Sequence, residues 1–263
     1  MSPPDTMAQV IKSGPPSCPG IALTFDLCPV KKSPGYDQAL VDYLIQHQIP
    51  ATFFMSGKWI AKHDAEVEHL LGIEFFEVGT HGEVHAHLPM HNAEEQQKEI
   101  RAPVRLLNEH YAHEATLFRP PYGEYNDTTV DVVKLLGLRF IQWSIESGDP
   151  DPTLTADQIL ASIEKRAKPG SIVVLHANGK GKQTSAVIER LTADILPAAT
   201  APTFTGGTLM VTGRSAATVS QTLSNVIIGA GGSAITMVPN SGTSQLVAQA
   251  EPFTIGPVVP AAG

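Results

Sequence analysis

The chain has 263 residues, of which 42% are hydrophobic and 17% are charged. This balance can bury a hydrophobic core, which excludes a wholly disordered protein and a small disulfide scaffold. The formal net charge of −8 repels phosphate backbones, so no nucleic-acid partner is expected. No apolar run reaches the roughly 18 residues of a transmembrane helix.

The amino terminus lacks the basic and apolar regions of a signal peptide. Either the protein stays inside the cell, or this chain begins after its export signal.

The composition changes near Ala199. After this point Thr, Ser, Gly and Ala dominate, and the only charged residues are Arg214 and Glu251. The tail is interpreted either as a fragment of a β-repeat or as a flexible low-complexity segment. The sequence predicts an N-terminal extension over 1–19, a folded domain over 20–198 and the Gly/Thr/Ser-rich, β-like tail over 199–263.

Strands and helices alternate along the folded domain. This order predicts parallel strands covered by helices, either as an α/β barrel or as a doubly wound sheet. Strands are predicted at 21–25, 51–55, 74–78, near 117, 139–143 and 171–175, and helices at 37–46, 93–111, 156–167 and 184–196.

Ionisable residues follow five of the predicted strands. They are Asp26, the pair His81 and His85, Arg119, Asp149 and His176. Because the carboxyl ends of parallel strands meet at one rim, we expect these side chains to lie together. Such a gathering is hard to explain by packing or solubility alone.

His81 and His85 are four residues apart, with Gly79 and Gly82 on either side of His81, and this spacing suits two imidazoles on one metal ion, for example zinc. Cys18 and Cys28 flank the first predicted strand. An extended path would separate them by about 20 Å, whereas a disulfide needs Cα atoms within about 7 Å. We therefore predict no bridge.

Five motifs in a fixed order carry a resemblance to a known family. They are Thr24-Phe25-Asp26, His81-x-x-x-His85, Arg119-Pro-Pro-Tyr-Gly123, Trp143-Ser with Asp149, and Leu175-His176. This order resembles the NodB-type polysaccharide deacetylases, carbohydrate esterase family four, over roughly 20–197. The resemblance implies a distorted (β/α) barrel that uses one divalent metal, zinc, to remove N-acetyl groups from chitin-like oligomers or peptidoglycan. It also implies a glycan partner and a periplasmic or extracellular location.

The resemblance assigns roles residue by residue. Asp26 matches the catalytic base, and Arg119 matches the residue that orients it. His81 and His85 match the metal-binding histidines. Tyr122 matches the residue whose backbone N–H meets the oxyanion. His176 matches the general acid, and Asp149 the carboxylate that tunes it.

The first motif departs from the family. Leu27 stands where the family has a second, metal-binding aspartate. Asp37 either supplies the missing ligand or is the N-cap of the first helix. Alternatively, Asp26 turns to the metal and another group is the base. The family's closing strand after the last helix is also missing.

Three functions therefore remain open. The favoured one is a metal-dependent deacetylase acting on an amino-sugar polymer. The second is a glycan-binding pseudoenzyme of the same fold, which Leu27 motivates. The third is an amide hydrolase acting on a small cyclic amide, which the missing signal peptide motivates.

Overall fold

The computed structural model describes residues 10–15, 17, 20–30 and 35–193, and four short strands beyond them. The chain divides into two compact units, Met1–Leu196 and Pro197–Gly263. Cys18 lies outside the described residues, so the prediction about a disulfide is not tested, although Cys28 is a free thiol.

A curled sheet of seven parallel strands forms the centre of the first unit, in the order β5-β4-β3-β2-β1-β7-β6. The strands are β1 (Ala22–Leu27), β2 (Ala51–Met55), β3 (Phe76–Thr80), β4 (Leu117–Phe118), β5 (Arg139–Phe140), β6 (Ile145–Glu146) and β7 (Ile172–His176). The expected distorted (β/α) barrel is confirmed. All the strands run in one direction, so their carboxyl ends form one rim.

The predicted strand over 139–143 is shortened to β5 in the structure, and the sequence did not predict β6. β5 pairs with β4 at one edge of the sheet, and β6 pairs with β7 at the other. The chain between them crosses the opening of the half-barrel, where Ile141 forms a parallel bridge with Ile11. The amide of Gly14 bonds to Gly170 on the opposite side of this opening. Part of the predicted N-terminal extension therefore packs along the gap between the two edges.

Helices cover the sheet. They are α1 (Gln38–Gln46), α2 (Gly57–Ile60), α3 (Asp64–Leu71), α4 (Ala93–Tyr111), α5 (Asp127–Leu135), α6 (Ala156–Arg166) and α7 (Thr184–Ala193). Within the described residues, none is long and apolar enough to cross a membrane. α4 has the predicted bounds because Asn92 and Glu95 form a capping box at its start. The sequence reading missed α2, α3 and α5.

The core lies between the sheet and these helices. Leu27, Phe25 and Phe53 are completely buried, and the two phenylalanine rings stack with centroids 5.3 Å apart. Burying side chains of this size contributes on the order of 2 kcal/mol each. The packed core fixes where β1 ends, and therefore where the residues after it point.

The second unit contains two pairs of parallel strands among its described residues. Thr203–Phe204 pairs with Ile227–Ile228, and Thr208–Thr212 pairs with Ala234–Val238. The remaining tail lies outside the described residues, so its interpretation as a β-repeat fragment stays a prediction.

Candidate active site

The end of β1 presents alternate residues to the rim and to the core. Side chains of a strand point to opposite faces in turn. Leu27 is fully buried in the core, whereas Asp26, 4% exposed, faces Arg119 and His81. Cys28 is 1% exposed and contacts His85. The polar residues at this strand end are therefore Asp26 and Cys28, on either side of an apolar leucine.

Asp26 forms a buried ion pair with Arg119. The guanidinium Nη1 donates to Asp26 Oδ1 at 3.0 Å, and the guanidinium carbon lies 4.1 Å from the centre of the Phe54 ring. Burial raises the pKa of Asp26, but the charges of His81 and Arg119 outweigh it and lower the pKa below its ordinary value. Asp26 is thus an ionised carboxylate held in one orientation.

His81 is fixed by a backbone carbonyl. Its Nδ1 donates to the carbonyl oxygen of Arg119 at 2.9 Å, which leaves Nε2 3.6 Å from Asp26 Oδ2. A bond of this kind sets the tautomer of a metal-binding histidine. Burial lowers the pKa of His81, but the charge of Asp26 and the bond with Cys28 outweigh it and raise the pKa. These electron-rich neighbours favour a cation at Nε2, whether a proton or a metal ion.

His85 lies on a tight loop with a left-handed backbone, φ +64°. Glu99 of α4 holds this loop, since one carboxylate oxygen accepts the backbone N–H groups of Val84 at 2.8 Å and Ala86 at 3.1 Å. These two bonds flank His85 and direct its ring towards His81, with ring centroids 4.9 Å apart. Burial lowers the pKa of His85 and favours the neutral imidazole that binds metals.

Cys28, His81 and His85 form one group, called here the Cys–His cluster, with ligand atoms all within 4.8 Å of one another. The Cys28 Sγ lies 3.3 Å from the His85 Nε2. A tetrahedral zinc ion would hold a sulfur and a nitrogen ligand about 3.6 Å apart, given its bond lengths. One thiol and two imidazoles at this spacing fit a divalent ion.

Burial raises the pKa of the Cys28 thiol, but its hydrogen bonds with His176 and with the other two cluster members outweigh burial. The pKa therefore falls well below its ordinary value. A thiolate is the form that binds metals.

Asp37 has the alternative role that the sequence left open. Its Oδ1 accepts the backbone N–H of Leu40 at 3.3 Å, which makes it the N-cap of α1. Its Oδ2 accepts the Ser185 hydroxyl at 2.6 Å. Both oxygens are engaged, and Asp37 is not in the Cys–His cluster. The assignment of Asp37 as the third ligand is therefore corrected to Cys28 as the candidate.

His176 and Asp149 form a second group, called here the His–Asp pair. The His176 Nδ1 lies 3.0 Å from Asp149 Oδ1, and its backbone N–H donates to Asp149 Oδ2 at 2.7 Å. The hydroxyls of Ser147 and Thr184 also donate to this carboxylate, at 2.9 and 2.7 Å. Burial lowers the pKa of His176, but the bonds with Asp149 and Cys28 outweigh it and raise the pKa to about 10. The imidazole is therefore cationic at neutral pH.

Tyr122 lies on a 3₁₀ turn, Pro121–Gly123, with φ +60°. Its ring is half exposed and lies against those of His85 and His87, with centroids 4.3 and 4.1 Å away. Among the hydrogen bonds of the described residues, none uses the backbone N–H of Tyr122. The turn thus places an aromatic ring beside His85 of the Cys–His cluster.

All the predicted site residues except Asp37 meet at this rim. Sequence reasoning missed Cys28, because the cysteines were considered only as a possible disulfide. The signal was the two-residue alternation of β1, which puts Cys28 on the same face as Asp26. It also missed Thr184 and Ser147, for which the sequence offered no signal.

The fold is a distorted (β/α) barrel with a curled parallel sheet. Its rim brings together an acid–arginine pair, a Cys–His cluster and a His–Asp pair, a combination typical of hydrolases. The chain belongs to the polysaccharide deacetylase family, hydrolases of carbon–nitrogen bonds other than peptide bonds. The family model described as Polysaccharide deacetylase matches residues 13–141. The resemblance seen in the motifs is confirmed.

Two relatives support the assignment. A peptidoglycan-N-acetylglucosamine deacetylase of Bacillus cereus is 30% identical over 177 residues, which cover 66% of this chain and 81% of the relative. A chitooligosaccharide deacetylase of Sinorhizobium fredii is 30% identical over 180 residues, which cover 65% of this chain and 78% of the relative.

A solved structure shares the fold. The crystal structure of a carbohydrate esterase family four pseudoenzyme from Bacillus anthracis matches with a TM-score of 0.65 and 21% identity. The match covers 72% of this chain and 64% of that one, so this chain spans less than two thirds of its length. At this identity the likeness shows the fold alone.

Proposed function

We propose that this protein removes N-acetyl groups from an amino-sugar polymer with the help of a divalent metal. The observation that carries the proposal is the meeting of three groups at one rim. The ionised Asp26 carboxylate, which is paired with Arg119, corresponds to a base. The Cys–His cluster corresponds to a metal site, and the cationic His176 corresponds to an acid. Metal-assisted amide hydrolysis uses all three, whereas a structural core needs none.

The substrate class follows from the relatives. Two curated relatives are named as deacetylases of peptidoglycan N-acetylglucosamine and of chitooligosaccharide. We therefore propose a polymer containing N-acetylglucosamine as substrate. If that polymer is peptidoglycan, the enzyme acts outside the cytoplasmic membrane.

The metal would be held by His81 and His85 together with a third donor at the end of β1. A divalent ion in this position supplies Lewis-acid chemistry, polarising the amide carbonyl and making water more acidic. His81 is held for this role by Arg119, and His85 by the loop that Glu99 fixes. We propose zinc, because imidazoles suit it well.

The protein's own residues move the protons. The oxygen of the attacking water bonds to the acetyl carbon, and Asp26 accepts the water's proton. The oxyanion that develops at the carbonyl meets the backbone N–H of Tyr122. When the carbon–nitrogen bond breaks, His176 donates a proton to the leaving nitrogen, because an unprotonated amine anion is a very poor leaving group. The products are acetate and the free amine of the sugar.

A second candidate is a pseudoenzyme that binds glycan without cleaving it. Leu27 replaces a metal-binding aspartate of the family, and the Bacillus anthracis structure with the same fold is itself a pseudoenzyme. The complete His–Asp pair favours the enzyme, because a protein that only binds glycan needs no buried imidazolium.

Acetate release decides between these candidates. We expect the zinc-loaded full chain to release acetate from N-acetylglucosamine oligomers or from peptidoglycan. Asp26→Asn should lower the rate by about 10²- to 10⁴-fold, the usual contribution of a general base, and should retain the metal. Asp42→Asn, an exposed acid on α1, is the matched control and should have wild-type activity.

Oligomer binding without acetate release, at any metal loading, would establish the pseudoenzyme. Acetate release from a small cyclic amide alone would overturn the proposed polymer.

A further inference from the structure

We propose that the Cys28 thiolate is the third protein ligand of the metal, replacing a carboxylate, and that it makes the site selective for zinc-like ions over magnesium, calcium and manganese. The inference rests on the proposed function only in assuming that the site holds a metal.

The first support is the path of the chain at the end of β1. The side chain of Leu27 is fully buried in the core, where no carboxylate could lie without a large desolvation cost. The next side chain is that of Cys28, which alternation returns to the face of Asp26. At the end of this strand, residue 28 rather than residue 27 therefore faces the metal site.

The second support is that Cys28 is held in place from two sides. The buried Asn178 amide donates to the Cys28 carbonyl at 2.7 Å. The preceding carbonyl, that of Leu27, accepts the backbone N–H and the hydroxyl of Ser56, at 3.2 and 3.1 Å. These bonds fix the backbone on which the sulfur is carried, as expected of a metal ligand.

The third support is the set of groups around the sulfur. Two imidazoles converge on Cys28 Sγ, and each is held by a separate contact, His81 by the Arg119 carbonyl and His85 by its loop. A buried cysteine that only packs would adjoin apolar groups instead. Thiolate and imidazole donors favour zinc, cobalt and similar ions, whereas magnesium, calcium and manganese favour oxygen ligands.

The main alternative is that Cys28 is a nucleophile activated by the His–Asp pair. His176 is among the groups that lower the pKa of the Cys28 thiol, and its Nδ1 lies 3.0 Å from Asp149 Oδ1, so these three residues are the ones such a mechanism would use. If Cys28 were the nucleophile, the position of His81 and His85 next to its sulfur would have no function. The metal role uses all three cluster residues, and we therefore favour it.

Cobalt substitution tests the proposal without relying on activity. The full chain would be stripped of metal with a chelator and titrated with Co²⁺ while the absorption spectrum is recorded. A thiolate ligand produces an intense near-ultraviolet charge-transfer band, whereas nitrogen and oxygen ligands produce only weaker visible bands. We expect the intense band to saturate at one Co²⁺ per chain.

Three variants complete the experiment. Cys28→Ser should abolish the charge-transfer band and lower zinc affinity by at least about 100-fold, more than the loss of an outer-shell partner. Cys28→Asp should abolish the band, keep the visible bands and raise manganese affinity relative to zinc by about 10-fold or more. Cys18→Ser, which removes the only other cysteine, is the control and should retain the band.

A wild-type spectrum with visible bands but no charge-transfer band would overturn the proposal, since the metal would then be bound without sulfur. A chain that binds no Co²⁺ would also overturn it. An acetylated Cys28 found by mass spectrometry during turnover of metal-free protein would establish the nucleophile instead. A charge-transfer band with no acetate released from any glycan would leave this site standing and overturn the proposed function.

Discussion

The Cys–His cluster and the His–Asp pair lie at the same rim but are constructed differently. The Asp149 carboxylate of the pair accepts four hydrogen bonds: two from His176 and one each from Ser147 and Thr184. In the cluster each donor is fixed by a different element: Cys28 through Asn178, His81 through Arg119 and His85 through Glu99.

The two constructions follow from their chemistry. The pair must stabilise one charge state on one imidazole, so its residue types are closely constrained, and they match the family. The cluster needs only electron-rich donors converging on a cation, and a thiolate satisfies that need as well as a carboxylate. We therefore expect one electron-rich donor to replace another in the cluster, whereas the complete loss of a donor should be damaging, and we expect the residue types of the pair to be fixed.

Loss of a cluster histidine should have the largest effect. His81→Ala removes a metal ligand, and we expect both the bound metal and activity to be lost, with a fall in turnover of at least about 10³-fold, equivalent to several kcal/mol of transition-state stabilisation. His91→Ala, which alters an exposed histidine paired with Glu95, is the control. Metal content by elemental analysis and acetate release are the measurements, and full metal occupancy in His81→Ala would contradict the ligand assignment.

Removing the carboxylate charge of the His–Asp pair should change the pH dependence of the reaction rate and leave the metal bound. His176 donates a proton, so activity falls as the pH rises through its pKa. Asp149→Asn removes the charge that helps to raise this pKa to about 10, so the alkaline limb of the pH–rate profile should move down towards the ordinary value of about 6.5. At pH 8 we expect a rate at least about 10-fold lower than wild type.

Asp151→Asn, an exposed neighbour bonded to Thr153, is the control for that profile and should not move it. An unchanged alkaline limb in Asp149→Asn would mean that the carboxylate does not tune His176.

Crowding the pair should have a moderate effect. A Cβ added to Gly181 would overlap Thr184 Oγ1, the His176 carbonyl and the Asp149 carboxylate. We expect Gly181→Ala to cost about 1–3 kcal/mol of unfolding free energy, the usual cost of overpacking, and to lower turnover by displacing the pair. Gly179→Ala, in the same loop, meets nothing within 4 Å and should match wild type in urea unfolding and acetate release. Equal stability of the two variants would show that the loop moves freely away from the pair.

The smallest effect is expected at Asp37. Asp37→Ala removes the N-cap of α1 and should cost about 1 kcal/mol, measured by urea unfolding. Asp37→Asn retains a good capping residue and should be nearly as stable as wild type. Neither should alter metal content. Loss of metal in Asp37→Asn would return Asp37 to the ligand set and would oppose the role given to Cys28.

The ends of β1 and β7 show which site residues could be placed at the rim from the sequence. Asp26 and His176 directly end predicted strands, and parallel strands bring such ends together, so both were placed at the rim from sequence. Asp149 follows β6, a strand that the sequence did not predict, since the predicted segment over 139–143 ends before it. Its motif nevertheless identified it, because a motif depends on the order of residues along the chain and not on where a strand begins or ends.

The sequence by itself determined the alternation of strands and helices and the family motifs, and it predicted most of the residues that meet at the rim, although not Cys28, Ser147 or Thr184. These features depend on local periodicity and on the order of residues along the chain. Only the tertiary structure decided which side chain joins the two histidines. Asp37 and Cys28 both follow β1, and choosing between them requires knowing that Ser185 of α7 engages one while His85 meets the other. Those contacts join residues distant in the chain, and only the packed sheet and helices set their distances.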